Sequence, residues 1–145
     1  MAMRLYAPNG LMRSGNISAD LGINGTDYNL VEVTLKNPTS GSGIARLFIY
    51  PPGTNSDTCY YAFQVNTSMT SFSTYSISLD SIPTGGISTP YDGPIARFGL
   101  RAPWGGVNFD TIYWKQMFVS NTKVNDSSSS RRSSANSKLW NPYAF

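Results

Sequence analysis

Apolar side chains in this chain recur every second residue, and no stretch keeps a helical period. That pattern restricts the fold to pleated strands with one buried face. Ile17, Ala19, Leu21 and Ile23 alternate with Ser18, Asp20 and Gly22, and Asn24-Gly25 then marks a turn. Val31, Val33 and Leu35 alternate with Glu32, Thr34 and Lys36. Ile44 to Tyr50 points Ala45, Leu47 and Ile49 one way and Arg46 the other, until Pro51-Pro52-Gly53 stops the strand. Tyr61, Phe63 and Val65 form the next inward set, then Tyr75, Ile77 and Leu79, then Ala96, Phe98 and Leu100, with Arg97 and Arg101 outward. Thr111 to Ser120 is the last strand of the body. Strict alternation there puts Ile112, Trp114 and Phe118 on one face and Tyr113, Met117 and Val119 on the other. Both faces are then apolar, which predicts a central or covered strand.

With a short strand near Arg4 to Ala7, the count is about eight. Strands with turn signals every 8–12 residues or so predict an all-β, antiparallel β-sandwich. A jelly roll is the preferred topology. An immunoglobulin-like sandwich is the alternative, although a lone cysteine, Cys59, cannot supply the Cys–Trp–Cys pattern or an intramolecular disulfide. The long run holding Pro83, Gly85, Gly86, Pro90, Gly93 and Pro94 reads as a crossover between sheets.

Catalytic chemistry finds little to work with. The chain has no histidine, the commonest general base and zinc ligand. No phosphate loop, nucleophile elbow or calcium-loop pattern occurs. Asp92 and Asp110 sit in turn-rich sequence, where turn formation accounts for them. The expectation is a protein that is not an enzyme and takes neither cofactor nor metal. The N-terminus lacks the apolar region of a signal peptide, and no run approaches a membrane span. Synthesis in a cytoplasm without membrane association is expected.

The charge is unevenly placed. Up to Ser120, seven basic and seven acidic side chains cancel, so the net +3 lies in residues 121–145. Charged residues make up only 13% of the chain, about half the roughly 25% usual for soluble domains. A surface so short of charge is poorly protected against association. The division expected is a β-sandwich body at 1–120 and a Ser-rich basic tail at 121–145. That tail ends in the apolar peptide Leu139-Trp140-Asn141-Pro142-Tyr143-Ala144-Phe145. Burying Leu139, Trp140, Tyr143 and Phe145 gains about 1.5–3 kcal/mol each. Ordering the backbone costs about 1–2 kcal/mol per residue. The two nearly cancel, so the peptide needs a preformed groove or the avidity of a multimer. Folding back as an extra edge strand of its own sandwich is the other outcome. Arg131 and Arg132 would pair with acidic protein surface. The tail's four basic residues are too spread for a nucleic-acid arm, so no nucleic-acid partner is expected.

An all-β body, low charge, no catalytic set and an extended terminal arm together resemble small β-sandwich virion proteins, especially the capsid decoration or cement proteins of tailed bacteriophages. The resemblance covers the whole chain and no motif, so it assigns no residue a role. It implies a structural virion protein, homo-oligomeric and often trimeric, that bridges neighbouring shell subunits. The partner-binding residues expected are Arg131, Arg132, Leu139, Trp140, Tyr143 and Phe145. The alternative is a carbohydrate-recognising module of a receptor-binding fibre. For that role Trp104, in Pro103-Trp104-Gly105-Gly106, is the exposed ring of choice, with Tyr91, Tyr113 and Trp114 nearby in sequence.

Overall fold

A computed structural model describes residues 2–4, 10–103, 111–122 and 137–140 of the chain, with backbone pairing alone for 2–4 and 137–140. The described residues are all-β, with no helix. The strands are β1 (Ala2–Arg4), β2 (Leu11–Arg13), β3 (Ile23–Asn24), β4 (Leu30–Lys36), β5 (Ile44–Tyr50), β6 (Tyr60–Gln64), β7 (Ser73–Ser78), β8 (Pro94–Ile95), β9 (Arg97–Arg101), β10 (Thr111–Ser120) and β11 (Ser137–Trp140).

Their pairing is nested. β5 pairs with β6, β4 with β7, β3 with β8, β2 with β9 and β1 with β10, all antiparallel. The chain thus doubles back at residues 51–59, and its two halves zip together outward from that bend. Two further ladders, β10 with β4 and β9 with β5, roll the doubled ribbon up. The result is one sheet in the order β1-β10-β4-β7 and a second in the order β2-β9-β5-β6, with β3 and β8 as a small separate ladder.

The core lies between the two main sheets. Val31, Val33 and Leu35 of β4, Ile77 of β7, and Ile112, Trp114, Met117 and Val119 of β10 meet Ala45, Leu47 and Ile49 of β5, Tyr61 of β6, and Phe98 and Leu100 of β9. Alternation placed most of these on the inner face. β10 is the exception. Lys115 is an extra residue: Trp114 pairs with Leu35 and Gln116 with Thr34, its immediate neighbour. Such a bulge switches the phase of the strand. Ile112 and Trp114 before it, and Met117 and Val119 after it, therefore all point inward, while Tyr113 and Phe118 are only partly buried. The expected strand with two apolar faces is instead an ordinary one-faced strand with a kink.

Residues 17–22 also depart from expectation, since no strand forms there. Gly15 and Gly22 take positive φ of 77° and 64°. The Asn16 side chain accepts from Ser18 N–H at 2.9 Å, and Asp20 accepts from Gly22 N–H at 2.8 Å. Local turn bonds hold this backbone, and Ile17 is left 49% exposed.

β4 occupies one edge of β10. The opposite edge is shared by β1, against Thr111–Tyr113, and β11, against Met117–Ser120. The tail peptide expected at 121–145 thus contributes a strand to the body's own sheet.

Candidate functional site

The outward face of the second sheet concentrates the body's arginines. Cross-strand register sets its side chains in rows. One row runs Arg13, Gly99, Phe48, Tyr60; the next runs Leu11, Arg101, Arg46, Ala62; a third pairs Arg97 with Tyr50. Four guanidinium groups therefore alternate with three aromatic rings. Arg46 lies 4.5 Å from the Tyr60 centroid, Arg97 4.9 Å and Arg13 5.7 Å from that of Tyr50, and Arg101 5.0 Å from that of Phe48. The rings also meet one another, Phe48 to Tyr60 at 5.4 Å and Phe48 to Tyr50 at 6.4 Å. Each cation–ring contact is worth about 0.5–1 kcal/mol where exposed, and about 2 where desolvated.

This face is outward, yet part of it is sealed. Phe48, Tyr50 and Arg97 are 1%, 0% and 2% exposed. The loop after β5 folds back over them. Arg97 donates to the Thr54 carbonyl and, at 3.3 Å, to Asn55 Oδ1. Asp57 from the same loop takes bonds from Arg13 at 2.6 and 2.9 Å and from the Tyr50 hydroxyl at 2.5 Å. Gly99 makes room for this arrangement, since a Cβ there would stand 2.8 Å from the Tyr50 hydroxyl.

The electrostatics follow from the packing. Burial pushes the Asp57 carboxyl up, but bonds from Arg13 and Tyr50 outweigh it and hold the group below its ordinary range. Burial, aided by Asp57, raises the Tyr50 hydroxyl to about 12. Arg46 and Arg101 stand directly opposite each other on β5 and β9. Among the described residues neither has a carboxylate at ion-pair distance, and Arg101 Nε is buried with no hydrogen-bond partner. With Asp57 committed to Arg13, the face keeps an excess of positive charge.

The opposite sheet carries a smaller cluster. Lys36 reaches over Tyr113 at 4.5 Å and over Phe72 at 5.5 Å, and Lys115 lies 6.0 Å from Phe72.

Comparison with family models, with curated proteins and with solved structures gives no match. The geometry of the chain itself is therefore what bears on function.

Of the partner-binding residues expected, Leu139 and Trp140 lie in β11, paired with Phe118 and Met117 of β10. Their strand is seated in its own sheet, which is the fold-back arrangement. Arg131, Arg132, Tyr143 and Phe145 lie outside the described residues, as does Trp104. Of the other rings considered for sugar stacking, Trp114 is 1% exposed and Tyr91 8% exposed, and the Tyr91 hydroxyl is spent on the Pro94 carbonyl at 2.6 Å. Tyr113 lies beneath Lys36. No cluster of three or more metal-ligating side chains gathers among the described residues.

The arginine and aromatic face was missed at the sequence level because its members are far apart, at positions 13, 46–60 and 97–101. A charge count over the body averages it away. The usable signal was the outward phase of Arg46, Arg97 and Arg101 on strands that turn out to be adjacent.

Proposed function

We propose that this protein is a non-enzymatic structural component of a virion, binding neighbouring shell subunits as a capsid decoration or cement protein does and acting as a homo-oligomer. The observation that carries the reading is the nested strand order. A doubled ribbon rolled into a five-stranded and a four-stranded sheet is the connectivity expected of a jelly roll, an architecture that capsid domains use. The same architecture also serves lectins, but the burial of Trp114 and Tyr91 weighs against a sugar face built from them.

On this reading β11 changes the arm's role. The arm is pinned at β10 by Ser137–Trp140. Arg131, Arg132, Tyr143 and Phe145 then meet the neighbouring subunit from a fixed point, which lowers the entropy cost of docking relative to a free tether.

Density-gradient fractionation of the producing cells tests the proposal, with the chain followed by antibody. The chain should band with nucleic-acid-containing particles, in tens of copies or more per particle. Truncation after Trp140 should keep β11 in the sheet, remove Tyr143 and Phe145, and leave a folded chain that stays at the top of the gradient. Wild-type chain found only among soluble proteins would overturn the proposal.

A further inference from the structure

We infer that the outward face of the β2-β9-β5-β6 sheet binds the phosphate backbone of single-stranded nucleic acid, with Arg46 and Arg101 as its two principal contacts. Like charges directly opposite on a ladder are unfavourable. Arg46 and Arg101 nevertheless face each other on β5 and β9 with no described acid at ion-pair distance. An anion between them would remove that cost. The described acid on this face, Asp57, is bonded to Arg13 and Tyr50 and acts on Arg101 only at longer range.

The geometry suits phosphate. Arg46 rests on Tyr60 and Arg101 on Phe48, 4.5 and 5.0 Å from the ring centroids. A guanidinium braced on a ring has lost its rotamer freedom in advance and presents its N–H edge as a fork. Both side chains remain partly exposed, in contrast to the sealed Arg97.

A single strand is favoured over a duplex and over a sulfated glycan by what surrounds the pair. The cations sit on adjacent strands of one sheet face, with Tyr60 partly exposed at its margin on the edge strand β6. Arg46 covers the Tyr60 ring, so the partly exposed Arg46–Tyr60 stack is itself the planar surface a base can meet, and basic surface with such planar groups is the combination that tracks an unpaired backbone. A sulfated sugar would use the charges and leave that planar stack idle.

The test is a fluorescence-anisotropy titration of the full chain with a labelled 20-nucleotide oligothymidylate across a range of salt. Wild type should bind at low salt. Arg46→Gln with Arg101→Gln should weaken binding at least tenfold and flatten the dependence of log K on log salt by about 1.4, two contacts at about 0.7 each. Lys36→Gln with Lys115→Gln removes the same charge from the opposite sheet and should change affinity less than threefold. Should the glutamine pair fail to fold, Arg46→Lys with Arg101→Lys keeps the charge and loses the fork, and should weaken binding severalfold with the slope unchanged. The inference is overturned by absence of binding at low salt, by equal losses in the arginine and lysine pairs, or by unaltered affinity in the lysine-for-arginine protein. It is also overturned if a heparin oligosaccharide of matched charge binds the same arginines more tightly than the oligonucleotide. Binding by the isolated chain and banding with particles are separate measurements, so either can fail alone.

Discussion

The hydroxyl of Tyr50 and the carboxylate of Asp57 share a hydrogen bond of 2.5 Å that fastens the loop after β5 onto the outer face of its own sheet. Asp57 also holds Arg13, so one carboxylate ties β2 and β5 to the loop that follows β5.

Asp57→Asn should lower stability by about 1–2 kcal/mol in urea unfolding at pH 7, a modest loss because the Arg13 and Asp57 side chains are each about a third exposed, at 32% and 31%. The Asp57 carboxyl is held below its ordinary value when folded. Its contribution is therefore present above the unfolded carboxylate range and lost as pH falls through the lower, folded value. Wild type should weaken with acid below about pH 4, and the variant should show a smaller decline. Parallel acid curves for the two proteins would contradict this role.

Alkaline stability should be set by three tyrosines. Burial raises Tyr50, Tyr61 and Tyr91 each to about 12, against an ordinary 10. A raised phenol contributes stability that is complete below about pH 10 and is lost on the way to about 12. Absorbance near 295 nm should therefore show Tyr50, Tyr61 and Tyr91 ionising late, together with loss of tertiary structure. Nine tyrosines titrating near pH 10 in a folded protein would refute the burial described.

Gly99→Ala should destabilise by about 1–3 kcal/mol through overpacking. The new methyl would stand 2.8 Å from the Tyr50 hydroxyl and 3.0 Å from its ring. Tyr50 is 0% exposed and anchored to Asp57, so it has little room to yield. Elsewhere in a strand alanine is better than glycine, so a gain in thermal midpoint would show that the ring moves freely.

Deletion of Lys115 should be tolerated, while deletion of Tyr113 should not. Without Lys115, β10 alternates regularly and keeps Ile112, Trp114, Met117 and Val119 inward. Without Tyr113, Ile112 and Trp114 cannot both face the core. Circular dichroism with urea unfolding should show a cooperative transition for the first protein and none, or one at much lower urea, for the second. The reverse order would place the extra residue elsewhere.

Where one residue alternates cleanly with the next, the fold was legible. Val31, Val33 and Leu35, or Ala45, Leu47 and Ile49, declare their buried face from period alone. At Ile17 to Leu21 the same pattern misleads, because Asn16 and Asp20 supply local acceptors and the glycines at 15 and 22 supply left-handed backbone. Those are turn bonds that alternation does not encode. The bulge at Lys115 is invisible for a related reason: β-propensity and period do not mark which residue is left unpaired. The candidate site was the least legible part. Arg46 and Arg101 become neighbours only through the β5–β9 ladder, and that ladder exists only once the doubled ribbon has rolled up.

The nested ladder has a cost in time. Ala2 finds its partner at Tyr113, so the outermost rung closes only after residue 113 of 145 has been synthesised. At about 5–20 residues per second of translation, the first strand waits on the order of ten seconds with its backbone unmatched. Rungs near the bend at 51–59 can close early, whereas the rim of the sandwich closes last. A nascent chain of this design is most vulnerable at its leading end, and holding factors at the ribosome would matter more for its yield than the final stability of the sandwich.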